Sequence, residues 1–117
     1  MRSLSCQVNL ALLLVGVMST MGTGAHAQTT TAEPNTILRL GTGWNSDAFG
    51  IQVNRPIVNP ANCSVADGYM SEAPHNGHKA HYAAALMAFA TGRQLYVTVS
   101  NTICVHGRPA IIGLQVV

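Results

Sequence analysis

The last third of the chain, residues 83–117, carries the clearest pattern of hydrophobic and polar positions. Its first part is rich in alanine, and Tyr82, Leu86 and Phe89 recur there at positions i, i+4 and i+7. This is the spacing of an amphipathic helix. Gly92 follows directly, and glycine accepts the left-handed conformation in which many helices end. We therefore predict a helix that begins near residue 78, ends at Gly92, and packs this apolar stripe on a sheet.

Alternation of apolar and polar residues predicts β-strands on both sides of the helix. Four segments show the alternation, and a fifth, shorter segment lies in the polar loop before the helix. The predicted strands cover residues 37–40, 49–54, 65–70, 95–100 and 112–116. Three strands, a helix and two strands form the order of a small five-stranded Greek-key barrel of the OB type. An open antiparallel sheet with one packed helix is the alternative.

The N-terminus predicts export from the cell. An apolar run over residues 10–18 is followed by Ala25-His26-Ala27, which fits the small-x-small rule for cleavage by signal peptidase. The run is too short to cross a bilayer of roughly 30 Å as a helix. We predict a signal peptide over residues 1–27, a flexible arm over 28–35, and one domain over 36–117. The mature chain is expected in the periplasm or secreted, without a membrane span.

The charged residues and the cysteines limit the class of protein further. After loss of Arg2 with the signal peptide, five basic and four acidic residues remain, which give a net charge of +1. This is not the positive surface of a nucleic-acid-binding domain. Cys63 and Cys104 are the two cysteines of the mature chain, and a pair of cysteines in an exported protein predicts a disulfide.

The sequence contains no strong catalytic or cofactor motif. His75, His78 and His81 are spaced by three and could ligate zinc or copper, so a periplasmic metal-binding protein is an alternative function. Lys79 among them disfavours a cation, and the HExxH pattern is absent. A small hydrolase is a further alternative, but no serine lies in a Gly-x-Ser-x-Gly turn. We predict neither an enzyme, nor a bound metal, nor a cofactor.

Four residues are candidates for binding a ligand. Trp44 is the only tryptophan and lies in a glycine-bounded turn with Asp47 close by. An indole face beside short polar side chains suits a sugar ring, whose C–H face stacks on the indole while its hydroxyls form hydrogen bonds. Tyr69 is a second aromatic candidate, and Arg108 is a candidate contact for an anionic sugar. A structural role for Trp44 at the end of the barrel is the alternative.

The alanine-rich helix, the segment TGRQLYVTVS, the following cysteine and the terminal AIIGLQVV together resemble the small exported B subunits of pertussis-like bacterial toxins. The resemblance covers residues 83–117. It implies an OB-type barrel, ring assembly, glycan binding and a companion toxin subunit. The sugar-binding residues of that group match no particular position of this chain. We expect a non-catalytic exported binding domain, namely an oligomeric glycan-binding protein.

Overall fold

A computed structural model of the protein describes residues 28–43 and 45–117. The predicted signal peptide, residues 1–27, and Trp44 lie outside the described residues. The described chain folds into six strands and one helix. In chain order, the elements are β1 (Thr29–Thr31), β2 (Ile37–Thr42), β3 (Ala48–Val53), β4 (Tyr69–Glu72), α1 (His78–Thr91), β5 (Leu95–Val105) and β6 (Arg108–Val116).

The six strands form one sheet in the order β1-β5-β6-β4-β3-β2. Neighbouring strands are antiparallel except β4 and β6, which are parallel where Met70 pairs with Ala110. The prediction of a mainly β fold with one helix is confirmed. The predicted strand number of five is wrong, and the sheet is open, with β1 and β2 at its edges. The sheet is also mixed rather than purely antiparallel. The connection from β4 through α1 and β5 returns the chain so that β6 runs beside β4 in the same direction.

The extra strand lies in the segment 28–35, for which the sequence predicts a flexible arm. Thr29–Thr31 pair with β5, and the Ala32 N–H donates to the Val97 carbonyl at 2.8 Å. The prediction of a loose arm is wrong for these residues. Threonine is β-branched and favours extended backbone. The edge of the long strand β5 offers backbone N–H and C=O groups for pairing. A polar segment can pair there as well as an apolar one, because the hydrogen bonds are formed by the backbone.

The main core lies between α1 and the inner face of the sheet. It contains large side chains from four strands and two small ones from the helix. Its fully buried members are Phe49, Ile51, Tyr69, Leu95, Val97, Val99, Ile111, Ala85 and Ala88. Burial of such side chains contributes about 1.5–3 kcal/mol each relative to exposure. A smaller cluster on the other side of β3 and β4 consists of Ala48, Met70, Val105 and Ala110.

Helix α1 faces this core with its smallest side chains. Ala85 and Ala88 are buried, whereas Leu86, Met87 and Phe89 are 44%, 53% and 45% exposed. The predicted packing of Leu86 and Phe89 against the sheet is therefore wrong. Alanine allows the helix backbone to approach the sheet closely, and the larger side chains are directed away from the narrow gap. Apolar residues surround this helix almost completely, so spacing alone does not identify its buried side.

The helix ends agree with the sequence prediction. Helix α1 begins at His78 and is followed by Gly92, which adopts a left-handed conformation with φ of 69°. Gly77 precedes the helix and is also left-handed, with φ of 79°. A side chain at either position would be strained, because L-residues rarely adopt this backbone conformation.

The predicted disulfide is confirmed. The sulfur atoms of Cys63 and Cys104 are 2.04 Å apart and join residues separated by 41 positions. The bond fastens the long loop between β3 and β4 to the end of β5. Among the described residues, no helix has the length and apolar character needed to cross a membrane.

Replacing Ala88 with leucine is expected to lower the free energy of unfolding by about 1–3 kcal/mol, because the added atoms must enter a filled core. The same substitution at Ala80, which is exposed on the same helix, is expected to change it by less than about 0.5 kcal/mol. Chemical denaturation of both variants measures the difference. A larger loss for Ala80→Leu than for Ala88→Leu would contradict the observed orientation of the helix.

Candidate functional site

The three predicted ligand-binding residues that the structure describes do not form one site. Trp44 lies outside the described residues, and the structure places the other three in separate environments. Asp47 lies at the mouth of one cleft, Arg108 lines another, and Tyr69 is buried in the core. The two clefts lie on opposite faces of β3, because successive strand residues point to opposite sides of a sheet.

Tyr69 has a structural role. Its side chain has 0% exposure, and its Oη accepts a hydrogen bond from the Val58 N–H at 2.9 Å. Burial raises the pKa of the phenol. A ligand therefore has no access to the ring, and the prediction that Tyr69 binds a ligand is wrong. Its place at the start of β4, beneath the long loop, explains the burial, because the phenol anchors that loop to the core.

Arg108 forms an ion pair with Asp67. Its Nε and Nη2 donate to the two oxygens of the Asp67 carboxylate, the second at 3.0 Å, and its Nη1 donates to the His106 carbonyl at 3.3 Å. The hydrogen bond from Arg108 lowers the pKa of Asp67. The same hydrogen bond raises the pKa of Arg108. This guanidinium joins the β5–β6 turn to the long loop, so most of its donors are already occupied.

Asp47 lines a cavity of about 370 Å³ at the turn between β2 and β3. We call it the Asp47 cleft. The side chains that matter to its chemistry are Thr42, Ser46, Asp47, Phe49, Lys79 and Tyr82. The Asp47 side chain is 72% exposed, so its carboxylate is available to a ligand. Its backbone carbonyl accepts from the Ala73 N–H at 2.9 Å, which fixes the turn against the loop before α1.

His78 holds the carboxylate of Asp47 in place. This histidine is buried at the first position of α1, with Phe49 in ring contact at 5.5 Å between centroids. Its Nδ1 shares a hydrogen bond with the Ser71 Oγ at 2.8 Å, and its Nε2 lies 3.2 Å from Asp47 Oδ1. Ser71 is only 1% exposed. The Ser–His–Asp series therefore orients Asp47 and presents no accessible nucleophile to a substrate.

The predicted histidine triplet does not converge on one point. His78 is bonded to Ser71 and Asp47, whereas His75 Nε2 faces the Glu72 carboxylate at 4.0 Å. His81 is directed into the protein, where burial lowers the pKa of its imidazole. Among the described residues, no group of three histidine, cysteine or acidic side chains is placed to hold a metal ion. Within the described part of the chain, the three histidines therefore do not share one site.

Of the side chains that line the Asp47 cleft, only that of Asp47 was predicted to bind a ligand, and two of the others come from α1. Tyr82 lines the cleft from α1 and contacts Phe49 edge to face, with 5.4 Å between the ring centroids. Lys79, from the same helix, also lines the cleft. The helical spacing of Lys79 and Tyr82, three positions apart, could have shown that they share a helix face. It could not have shown that this face borders the β2–β3 turn, which depends on tertiary packing.

No protein-family model matches the chain, and comparison with curated proteins finds no significant match.

Proposed function

We propose that the protein is a non-catalytic, exported carbohydrate-binding domain whose sugar site is the Asp47 cleft. The observation that carries this proposal is the exposed Asp47 carboxylate, fixed by buried His78 beside the aromatic side chain of Tyr82. An oriented carboxylate accepts hydrogen bonds from two neighbouring sugar hydroxyls, since it offers two oxygens with free lone pairs. A charge-assisted hydrogen bond is about twice as strong as a neutral one.

The other walls of the cleft complement a sugar in the same way. Thr42 and Ser46 supply hydroxyl groups, and Lys79 supplies a donor for ring or hydroxyl oxygens. Tyr82 supplies an apolar surface for C–H groups. Small-molecule sites typically combine an apolar wall with a few oriented polar groups. The cavity of about 370 Å³ suits one or two sugar units rather than a long chain.

The backbone between β1 and β2 supports an OB-like barrel as the finer description of the fold. The Asn35 N–H donates to the Leu95 carbonyl and the Leu95 N–H donates to the Asn35 carbonyl, both at 2.8 Å. We infer that the chain from β1 to β2 acts as one bent strand, which pairs first with β5 and then with β3. Such a strand would close the sheet into a barrel. Amide hydrogen exchange at Leu95 as fast as in an exposed loop would contradict this closure.

The exposed side of α1 supports self-association. Leu86, Met87 and Phe89 are exposed together, and no charged residue occurs between Lys79 and Arg93. Two copies of such a face meet without repulsion between like charges, and a helix that is apolar all round is usually buried. We propose that this face associates with a second copy of the chain to form a homo-oligomer; a companion toxin subunit is the alternative partner. A sedimentation experiment that finds only monomer at micromolar concentration would contradict self-association.

Binding to a glycan array tests the proposed function, followed by titration of the best-retained saccharide into the purified protein. Asp47→Asn is expected to weaken that binding at least tenfold, because it removes the charge from a hydrogen-bonding group at nearly constant shape. The free energy of unfolding should change by no more than about 1 kcal/mol, since the side chain is largely exposed. Trp44 follows Gly43 in the sequence, and Gly43 lines the cleft. We therefore expect the fluorescence emission of Trp44 to change when a saccharide binds.

Glu33→Gln is the matched control for this experiment. It also replaces a carboxylate by an amide, and the Glu33 side chain is 81% exposed beside Arg55, outside the Asp47 cleft. Glu33→Gln should bind as the wild type does. Retention of no saccharide on the array would refute the carbohydrate-binding function. Equal affinity of Asp47→Asn and wild type would refute the site.

A further inference from the structure

A second cleft lies on the face of β3 opposite the main core. Gly50 and Gln52 alternate with the buried residues Phe49 and Ile51, so they point away from the core. The cavity over them has a volume of about 270 Å³. We call it the arginine cleft, and the residues that define it here are Arg39, Gly41, Gly50, Gln52, Asp67 and Arg108.

Two strand glycines face each other in the floor of the arginine cleft and contribute no side chains of their own. Gly41 of β2 pairs with Gly50 of β3, next to the pair of Arg39 and Gln52. A Cβ atom at Gly50 would lie 3.2 Å from Met70 Cγ, so the Met70 side chain already covers that part of the floor. Glycine inside a strand often marks a place where a ligand or another backbone approaches closely.

The charge on the two sides of this floor is unequal. Arg108 is neutralised by its ion pair with Asp67, as described above. Arg39 is exposed, and its guanidinium group forms no hydrogen bond or ion pair with any other residue in 28–43 and 45–117. The lining of the cleft therefore includes one unpaired guanidinium group, that of Arg39, and one carboxylate that still has free lone pairs, that of Asp67.

We propose that the arginine cleft binds a small hydroxylated organic acid of the uronic acid type. Arg39 pairs with the carboxylate of the ligand, since a guanidinium group matches a carboxylate in two parallel hydrogen bonds. Asp67 accepts hydrogen bonds from the hydroxyl groups at the other end, because its orientation is fixed by Arg108. Gln52, opposite Arg39, offers both a donor and an acceptor to the ring substituents.

The size and composition of the cleft set the limits of this ligand. Drug-sized ligands occupy pockets of roughly 300–1,000 Å³, so a cavity of about 270 Å³ takes one sugar-sized acid and not an oligosaccharide. A simple inorganic anion would use Arg39 alone. It would leave the Asp67 carboxylate without a donor from the ligand, and that carboxylate would repel it. The arrangement therefore favours an acid that also carries hydroxyl groups.

Titration of D-glucuronate into the ¹⁵N-labelled protein, followed by NMR, tests the proposal. Saturable shifts are expected at the amides of Gly41, Gly50 and Gly68, which line this cleft. The amide of Gly43, which lines the Asp47 cleft, is expected to be unaffected. D-glucose, the same ring with a hydroxymethyl group in place of the carboxylate, should bind at least tenfold more weakly. Inorganic sulfate should also bind at least tenfold more weakly.

Arg39→Gln is expected to reduce glucuronate affinity at least tenfold. Arg93→Gln is the matched control, because Arg93 is also exposed but its Nε donates to the Val117 carbonyl far from the cleft. Asp47→Asn should not change glucuronate binding, so failure of this proposal and failure of the Asp47 cleft are distinguishable. Absence of saturable shifts, equal binding of glucose or sulfate, or unchanged affinity of Arg39→Gln would each overturn the proposal.

Discussion

Replacing Cys104 with serine is expected to lower the free energy of unfolding by about 4 kcal/mol in the chain-entropy description. The reason is the long loop that the bond closes, since Cys63 and Cys104 are separated by 41 positions. The unfolded chain regains the freedom of that loop when the bond is lost. For a domain of this size, the melting temperature of the oxidised protein should fall by roughly 15–30 °C, as measured by calorimetry.

Other contacts hold the same loop in the folded state, so its conformation should survive the loss of the bond. The Asn59 side chain accepts from the Cys63 N–H at 2.8 Å and donates to the Cys63 carbonyl at 2.9 Å. The Val65 N–H donates to the Gly107 carbonyl at 2.9 Å. The variant should therefore fold and remain less stable, and its stability should not respond to reducing agent.

The double variant Cys63→Ser/Cys104→Ser separates the effect of the bond from that of a free thiol. It should match Cys104→Ser within about 1 kcal/mol, since both lack the cross-link. A single variant as stable as the wild type would mean that the bond contributes nothing to stability in solution. A double variant much more stable than the single one would assign the loss to the unpaired thiol of Cys63.

The sequence predicts those elements whose structure depends on local pattern. Alternation identified β2, β3, β5 and β6, and the glycine after Thr91 identified the end of the helix. Strand β1 was missed because its pairing with β5 uses backbone groups, and three threonines show no alternation of apolar and polar residues. Strand β4 was predicted a few residues too early, since Val65 and the Asp67-Gly68 turn precede the paired segment Tyr69–Glu72.

The candidate site was less predictable because its parts come from separate segments. The β2–β3 turn supplies Asp47, and α1 supplies Tyr82 and Lys79. Nothing local to these residues shows that the turn and the helix meet. The burial of Tyr69 is likewise a tertiary property, as an aromatic residue beside a loop is equally compatible with a binding surface and with an anchor. Asp47 was predicted to bind a ligand because it lies close to Trp44 in the sequence. The orientation of its carboxylate depends on His78, which is far from it in the sequence.

Tyr69→Ala is expected to lower the free energy of unfolding by about 3–5 kcal/mol, because it empties a fully buried site beneath the long loop. The loss has two physical parts. The ring leaves a cavity among Phe49 and Ile51, which belong to the same core. The Val58 N–H, bonded to the Tyr69 Oη at 2.9 Å, loses its acceptor.

Tyr69→Phe separates these two parts, because it keeps the ring and removes only the acceptor. It should cost about 1–3 kcal/mol, the usual penalty for a buried donor left without a partner. Tyr96→Ala is the matched control, since Tyr96 is half-buried on β5 and should lose less stability than Tyr69→Ala. Denaturant unfolding of the three variants gives the order. If Tyr69→Ala is no less stable than Tyr96→Ala, the tyrosine does not anchor the loop. If Tyr69→Phe abolishes saccharide binding without changing stability, the phenol contacts a ligand despite its burial, and its assignment to the core is wrong.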